Sequence, residues 1–419
     1  MPFSSEYIYD WNTHENEIPQ APKQIKVLDE TLRDGLQSTS ALHPLLDERM
    51  ELVHLMDALG ISTVNLGYPG SSPRSKQEVA LLARETLTKG LNIKPQAVAR
   101  TLTTDVRPIV ESSQIAGLPI EAGIFIGSSE IRHLVENWNI PQMCTLIENA
   151  VSFGVKHEIP VLFVLEDTTR AQPEHLKTFY RVAIDAGASR ICLADTAGHA
   201  TPEGTRAQVT YIRRWLDEIG SDVGLDWHGH RDRGLSTANA LVAAAHGADR
   251  IHATALGLGE RAGNTAMEEL LVNLRLLGYV DNDLSKLEDY AELVARATNT
   301  PIVYNQPIVG KDAFSTATGV HAAAVIKARK MGHEKLSHLV YSSVPADLIG
   351  RDQVIKIGPF SGMHNVRVWM EEKGLAEDTQ IMEAILDLAK DARGILNDDQ
   401  IWAAVNRVLE REGSAAQPL

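Results

Sequence analysis

The chain has 419 residues, 44% apolar and 23% charged, a balance that excludes disorder as its ordinary state and leaves room for one large domain and a smaller one. Acidic residues outnumber basic ones by 55 to 40, and the formal charge of −15 disfavours nucleic acid and anionic membranes as partners. Cys144 and Cys192 form no CxxC, and no apolar stretch reaches the roughly 20 residues of a membrane-spanning helix, so the expected setting is the cytoplasm and the expected partners are small molecules or further subunits.

Residues 1–23 form an N-terminal arm with no basic region leading into an apolar run. Eight β-rich runs follow at intervals of about 30 residues. They are QIKVLDETL (24–32), STVNLGYP (62–69), KPQAVART (94–101), EAGIFIGS (121–128), IPVLFVLED (159–167), RICLADTAG (190–198), VGLDWHGHRD (223–232) and RIHATALGLGE (250–260). Helical periodicity fills the gaps, as in LLDERMELVHLMDALG (45–60) and GLSTANALVAAAHGA (234–248). Eight such strand–helix units predict an α/β fold, a closed (β/α)8 TIM barrel over residues 24–285. The competing fold, a doubly wound open sheet, would gather its ligand at one switch point, whereas polar residues here follow many of the strands. In a barrel those strand ends share one mouth.

From residue 286 the pattern changes to a Pro/Gly-punctuated connector, a strand-like QVIKIGPFSG (353–362) and helical stretches ending near Glu412. This predicts a helical C-terminal appendage over 286–412, with 413–419 as a frayed tail.

In the seventh run His228 and His230 stand two apart, a spacing that turns both imidazoles to one side of a strand. Such a pair suits a divalent cation if oxygen ligands come from elsewhere, and it equally suits a merely polar strand end. The first run ends in Arg33 and Asp34, either a cation-site carboxylate with its neighbour or a simple ion pair. The eighth leads into GLGERAGN, which would bring Asn264 into reach as a further oxygen ligand. The loose GxGxxA string from Gly257 to Ala262 lacks the strand–helix–strand context of a dinucleotide site.

Five ordered motifs, DETLRDGLQS, LADTAGHATP, HGHRD, GLGERAGN and TGVHAAAVIKA, together resemble the DRE-TIM metallolyase superfamily and, within it, the 2-isopropylmalate and homocitrate synthases. The resemblance implies condensation of acetyl-CoA with a 2-oxo acid, assisted by a divalent metal (Zn, Mn, Mg or Co), followed by thioester hydrolysis. It assigns Asp34, His228, His230 and Asn264 to the metal, and Arg33 to the developing oxyanion. Glu166 matches an active-site glutamate, although a solvated acid beside Arg170 would look the same. Thr196 matches a carboxylate-binding threonine, or is a helix cap. Asn65 and Arg100, at the ends of the second and third runs, are expected to join Arg33 and Thr196 in binding substrate. His321 and Tyr341 resemble an acid/base pair that the appendage lays over a partner's barrel, which implies a domain-swapped homodimer or a higher homo-oligomer; without the resemblance His321 is an ordinary helix histidine.

Several positions depart from the usual pattern: Asn65 stands where a Glu is usual, Gly123 for His, Val164 for Ser, Arg231 for Asn and Leu256 for Asn. Leu162 occupies the position where homocitrate synthases carry an Arg for the distal carboxylate, which favours an apolar-tailed acid such as 2-oxoisovalerate. Arg231 should face away from the histidines. Neither cysteine lies after the eighth run, where the superfamily's lyases carry a catalytic one. With no leucine-binding module after the appendage, leucine feedback is expected to be weak. A catalytically silent barrel that binds metal or acyl-CoA remains the non-enzymatic alternative.

Overall fold

The computed structural model describes residues 8–12, 24–332, 334–411 and 413; most of the expected N-terminal arm and C-terminal tail lies outside them. Among the described residues, each of the eight runs contributes one strand to a closed parallel barrel: β1 Lys26–Asp29, β2 Thr63–Asn65, β3 Lys94–Arg100, β4 Glu121–Gly127, β5 Val161–Glu166, β6 Arg190–Asp195, β7 Gly224–Gly229 and β8 Arg250–Ala253. Every strand pairs with its neighbour in sequence, and β1 closes the ring on β8 with Val27 beside Ile251.

Helices return the chain between strands because their apolar stripes have a sheet to cover. In the helix Pro202–Glu218, Thr201 Oγ1 accepts from the Gly204 amide at 3.2 Å, Pro202 opens the first turn, and Val209, Ile212, Trp215 and Leu216 are buried.

The barrel interior is not uniformly apolar. At the strand N-termini Asp226 accepts from Arg190 Nε at 2.7 Å and from Arg250 Nε at 2.7 Å, and Arg250 Nη2 reaches Glu121 at 2.8 Å. His252 Nε2 lies 2.9 Å from the same aspartate. Burial works against the charge of Asp226, yet the two guanidiniums hold its carboxyl well below the usual range. This ionic floor closes the end of the barrel opposite the mouth.

The first compact unit runs through Ile302, beyond the expected boundary at 285, because the helix Leu287–Thr298 belongs to it. Tyr290 of that helix donates to Asp29 at the end of β1.

The second unit, Val303–Leu419, is mainly helical. Its core packs Val366, Trp369 and Met370 of the helix Met363–Glu372 with Ile381 and Ile385 of Thr379–Asp391 and Ile401 and Val405 of Asp398–Arg411. Of the strand-like segment 353–362 only Val354–Ile355 is extended, paired with Ser315–Thr316.

Candidate metal centre and cavity

The C-terminal ends of the strands surround a cavity of about 280 Å³. Asp34, just past β1, and His228 and His230, at the end of β7, are all buried on its wall. The Nε2 atoms of the two histidines lie 3.2 Å apart, and Asp34 Oδ2 is 3.2 Å from the first and 3.6 Å from the second. Despite that proximity Asp34 Oδ2 accepts no hydrogen bond, so a buried, unsatisfied carboxylate oxygen converges with two imidazole nitrogens that face each other at hydrogen-bond distance. Buried polar atoms are rarely left so, and this donor set of one hard oxygen and two imidazoles fits a divalent cation.

Electrostatics prepares the same state. Burial opposes ionisation of Asp34, but Arg33, His228 and His230 outweigh it and hold the carboxyl well below its usual range. Burial, reinforced by the neighbouring His228, drops His230 to about 4, which keeps its ring neutral and a competent donor at neutral pH.

The loop after β8 brings in Asn264. Its backbone bridges His230, its Nδ2 donates to Leu258 O at 3.0 Å, and its Oδ1 is buried without a partner. Gly259 sits in this loop at φ 149°, and a Cβ there would collide with the Asn264 amide. Leu256, where Asn is usual, is held left-handed at φ 56° while its amide donates to Glu268.

Arg33 faces the cavity with its fork fixed from one side. Its Nε donates to Glu30 at 2.9 Å, its Nη2 lies 2.5 Å from the same oxygen, and its Nη1 is 3.3 Å from Asp34. Glu166, at the end of β5, also lines the cavity. Burial raises its carboxyl pKa, against the pull of Arg132 and Arg33. Arg170 is not its partner: that guanidinium holds Asp167 at 2.7 and 2.8 Å. Thr196 lines the cavity and its Oγ1 accepts from the Asp167 amide at 2.9 Å, while the helix cap is Thr201.

Asn65 and Arg100 do not reach the cavity wall. Asn65 is buried behind it, donating to Glu30 at 2.9 Å, and Arg100 turns outward to hold Asp105 in a bidentate pair. The substrate-binding expectation therefore has no direct geometric basis at these two positions. Arg231, two residues past β7, does not line the cavity and donates to Ala262 O at 2.8 Å. Asp232 pairs with Arg261. Neither cysteine lines the cavity.

Among the wall residues that the sequence reading did not single out, Glu30 and His252 join His228 in a second group whose ligand-type atoms lie within 4.8 Å of one another. Arg33 and Asn65 already engage Glu30, and Asp226 engages His252, so this group reads as the layer supporting the cavity rather than a second cation site. The available signal was the period-two spacing of Arg250 and His252 on β8, which turns both inward.

In the second unit, His321 on the helix Gly319–Lys330 and Tyr341 stack at 4.0 Å between ring centroids, tilted by 31°, and both are exposed.

Comparison with known proteins gives a consistent picture. A family profile described as HMGL-like matches residues 24–294. A homocitrate synthase AksA of Methanopyrus kandleri is 31% identical over 95% of this chain and 96% of its own length. A probable 2-isopropylmalate synthase of Ignicoccus hospitalis is 29% identical over 96% of each chain. Among solved structures, a hydroxymethylglutaryl-CoA lyase of Pseudomonas aeruginosa superposes with a TM-score of 0.57 at 21% identity, covering 70% of this chain and 97% of that one; at that identity the likeness concerns the fold alone.

Proposed function

The chain belongs to the HMGL-like family, and from that premise we propose that it condenses acetyl-CoA with a 2-oxo acid, with 2-oxoisovalerate as the first candidate acceptor and 2-isopropylmalate as product. The observation that carries the reading is the convergence of Asp34, His228 and His230 beside the fixed fork of Arg33, in one cavity at the strand C-termini.

A divalent cation held by these three residues, with Asn264 close by, would supply Lewis acidity to the keto group of the acceptor. Arg33 presents N–H donors where negative charge grows as the acetyl carbon adds to the keto carbon, and its partner Glu30 keeps it from reorienting during the step. Glu166, whose burial favours the protonated form, can hold or release a proton at its carboxyl on the same wall. We assign the removal of an acetyl proton and the activation of water for thioester hydrolysis to His321 and Tyr341, offered by one subunit of a homodimer to the other. Thr196 is assigned to the acceptor's carboxylate.

The choice of acceptor follows from Val98, Phe125, Leu162, Val164 and Ala194, which make part of the wall apolar, with the uncharged Gln96 beside them. A second carboxylate there would be desolvated without a cation, since Arg33 is held by Glu30 and Arg261 by Asp232. A thiol-release assay with acetyl-CoA and a panel of 2-oxo acids tests the proposal. Turnover greatest with short branched acids supports it. Preference for 2-oxoglutarate or pyruvate would move the reading to homocitrate or citramalate synthesis, and no turnover with bound metal would favour a silent barrel.

A further inference from the structure

Gln96 stands third on β3, one inward-facing step below Val98 and beside Glu121 of β4, toward the ionic floor. It lines the cavity, yet it is only 1% exposed. Its Nε2 donates at 3.3 Å to Glu121 Oε2, the oxygen that also accepts from Arg250 Nη2. A carboxylate held by a guanidinium can only accept, so the amide must turn its nitrogen toward Glu121 and its oxygen the other way. No described residue donates to that Oε1. Buried amide oxygens are rarely left unpaired, because each then carries the full cost of its desolvation.

The space beside the amide is kept open. Gly123 faces Val98 across the β3–β4 pairing, and a Cβ there would lie 3.3 Å from both Gln96 Nε2 and Val98 Cγ1. Leu162, the β5 partner of Gly123, and Val164 wall the same cavity without offering a side-chain hydrogen-bond group.

We propose that Gln96 Oε1 and the space left by Gly123 form a subsite for a neutral hydrogen-bond donor, a hydroxyl on the tail of the bound 2-oxo acid. This assignment rests on the proposed condensation and narrows its acceptor. An uncharged tail suits the apolar wall, and a hydroxyl on it satisfies the buried amide oxygen. A carboxylate tail would meet that oxygen with charge of the same sign. An ammonium tail would find no counter-charge, because Glu121 is already held by Arg250. 2-Oxoisovalerate fits the apolar part of the wall and leaves Gln96 unpaired, so a hydroxyl-bearing acid of the same shape is expected to be the better acceptor.

The test measures kcat/KM by thiol release for pairs of acids that differ only by methyl and hydroxyl: 2-oxoisovalerate with 3-hydroxy-2-oxobutanoate, and 2-oxopentanoate with 4-hydroxy-2-oxobutanoate. In wild type the hydroxyl member of at least one pair is expected to lead by about tenfold or more, since the alkyl member leaves a buried acceptor unpaired. Gln96→Met, close in shape and without the amide, is expected to bring that ratio to one or below. A glutamine with only a structural role would slow both members alike and leave the ratio where it was.

Equal or greater turnover of the alkyl member in every wild-type pair overturns the proposal, as does a folded Gln96→Met protein that keeps the hydroxyl preference. If Gln96→Met does not fold, a crystal structure of wild type with the preferred hydroxy acid decides: its hydroxyl within hydrogen-bond distance of Gln96 Oε1 supports the subsite, and any other placement overturns it. If wild type releases no thiol with any 2-oxo acid, the proposed function fails separately. Calorimetric binding of the same pairs to wild type then judges the subsite: tighter binding of a hydroxyl member supports it, and equal binding, or none, overturns it.

Discussion

The Nε2 atoms of His228 and His230 face each other across 3.2 Å, a separation at which two neutral rings cannot both present lone pairs without cost. A neutral N–H of one ring donated to the other, or a cation between them, reconciles the pair, and Asp34 Oδ2 at 3.2 and 3.6 Å completes the ligand set that a cation would take. The chain builds this contact from His228 of β7 and His230 just beyond it and closes it with Asp34 from the turn after β1.

Arg33 supplies a planar fork, and lysine cannot reproduce it. Arg33→Lys is expected to lower kcat by about 10²-fold while KM for the oxo acid changes far less, as the loss of one oxyanion donor does. Steady-state kinetics on the best acid of the panel measures the split. A variant changed mainly in KM would place Arg33 in ground-state binding.

The paired His321 and Tyr341 are assigned to a partner's reaction, so two defects on different subunits should complement each other. Asp34→Asn and His321→Ala, each inactive alone, are expected to recover roughly a quarter of wild-type activity when unfolded and refolded together as a mixed dimer. No recovery in a mixture shown to contain heterodimers would confine each site to one chain.

The ionic floor should carry stability. Asp226→Asn removes the carboxylate that Arg190 and Arg250 share, leaving the half-buried Arg190 without that counter-charge and the buried Arg250 with Glu121 alone. Loss of about 3–5 kcal/mol in urea unfolding is expected. A loss under about 1 kcal/mol would mean that water or Glu121 compensates.

Asp29 gives a pH signature of the opposite sign. Burial pushes its carboxyl up to about 6 from an ordinary 3.8, despite hydrogen bonds from Tyr290 and Thr31. Between these values the folded state binds more protons than the unfolded one, so this group's contribution to stability falls as pH rises through the window, by about 3 kcal/mol at most, and is level above it. Asp34 and Asp226, with lowered values, contribute stability that is present above about 3.8 and lost below. Urea midpoints of wild type and Asp29→Asn from pH 4 to 7 should diverge through pH 6, wild type losing ground. Parallel curves would contradict the raised value.

The barrel was legible because eight apolar runs with polar C-terminal ends admit few other closures, and His228 and His230 because period two is unforgiving on a strand. Thr196 and Glu166 face the cavity as the positions of their strand ends suggest. Asn65 and Arg100 also end strands, yet one is drawn behind the wall by Glu30 and the other outward by Asp105. Those partners come from β1 and from the helix following β3, and no pattern within one segment reveals them. No sequence pattern singles out Glu30 or Asp226, whose roles arise from contact with the guanidiniums of Arg33 for the first and of Arg190 and Arg250 for the second. The helix Leu287–Thr298 joined the barrel unit for the same reason, through its Tyr290 contact with Asp29.

One cation held between Asp34 and the histidine pair at the end of β7 underlies the proposed reaction. Anomalous diffraction from crystals soaked in manganese chloride tests it most directly: the expected map has a single strong peak bounded by Asp34 Oδ2 and the Nε2 atoms of His228 and His230. A map with no peak there, or with its peak at Glu30 and His252 instead, would contradict the account.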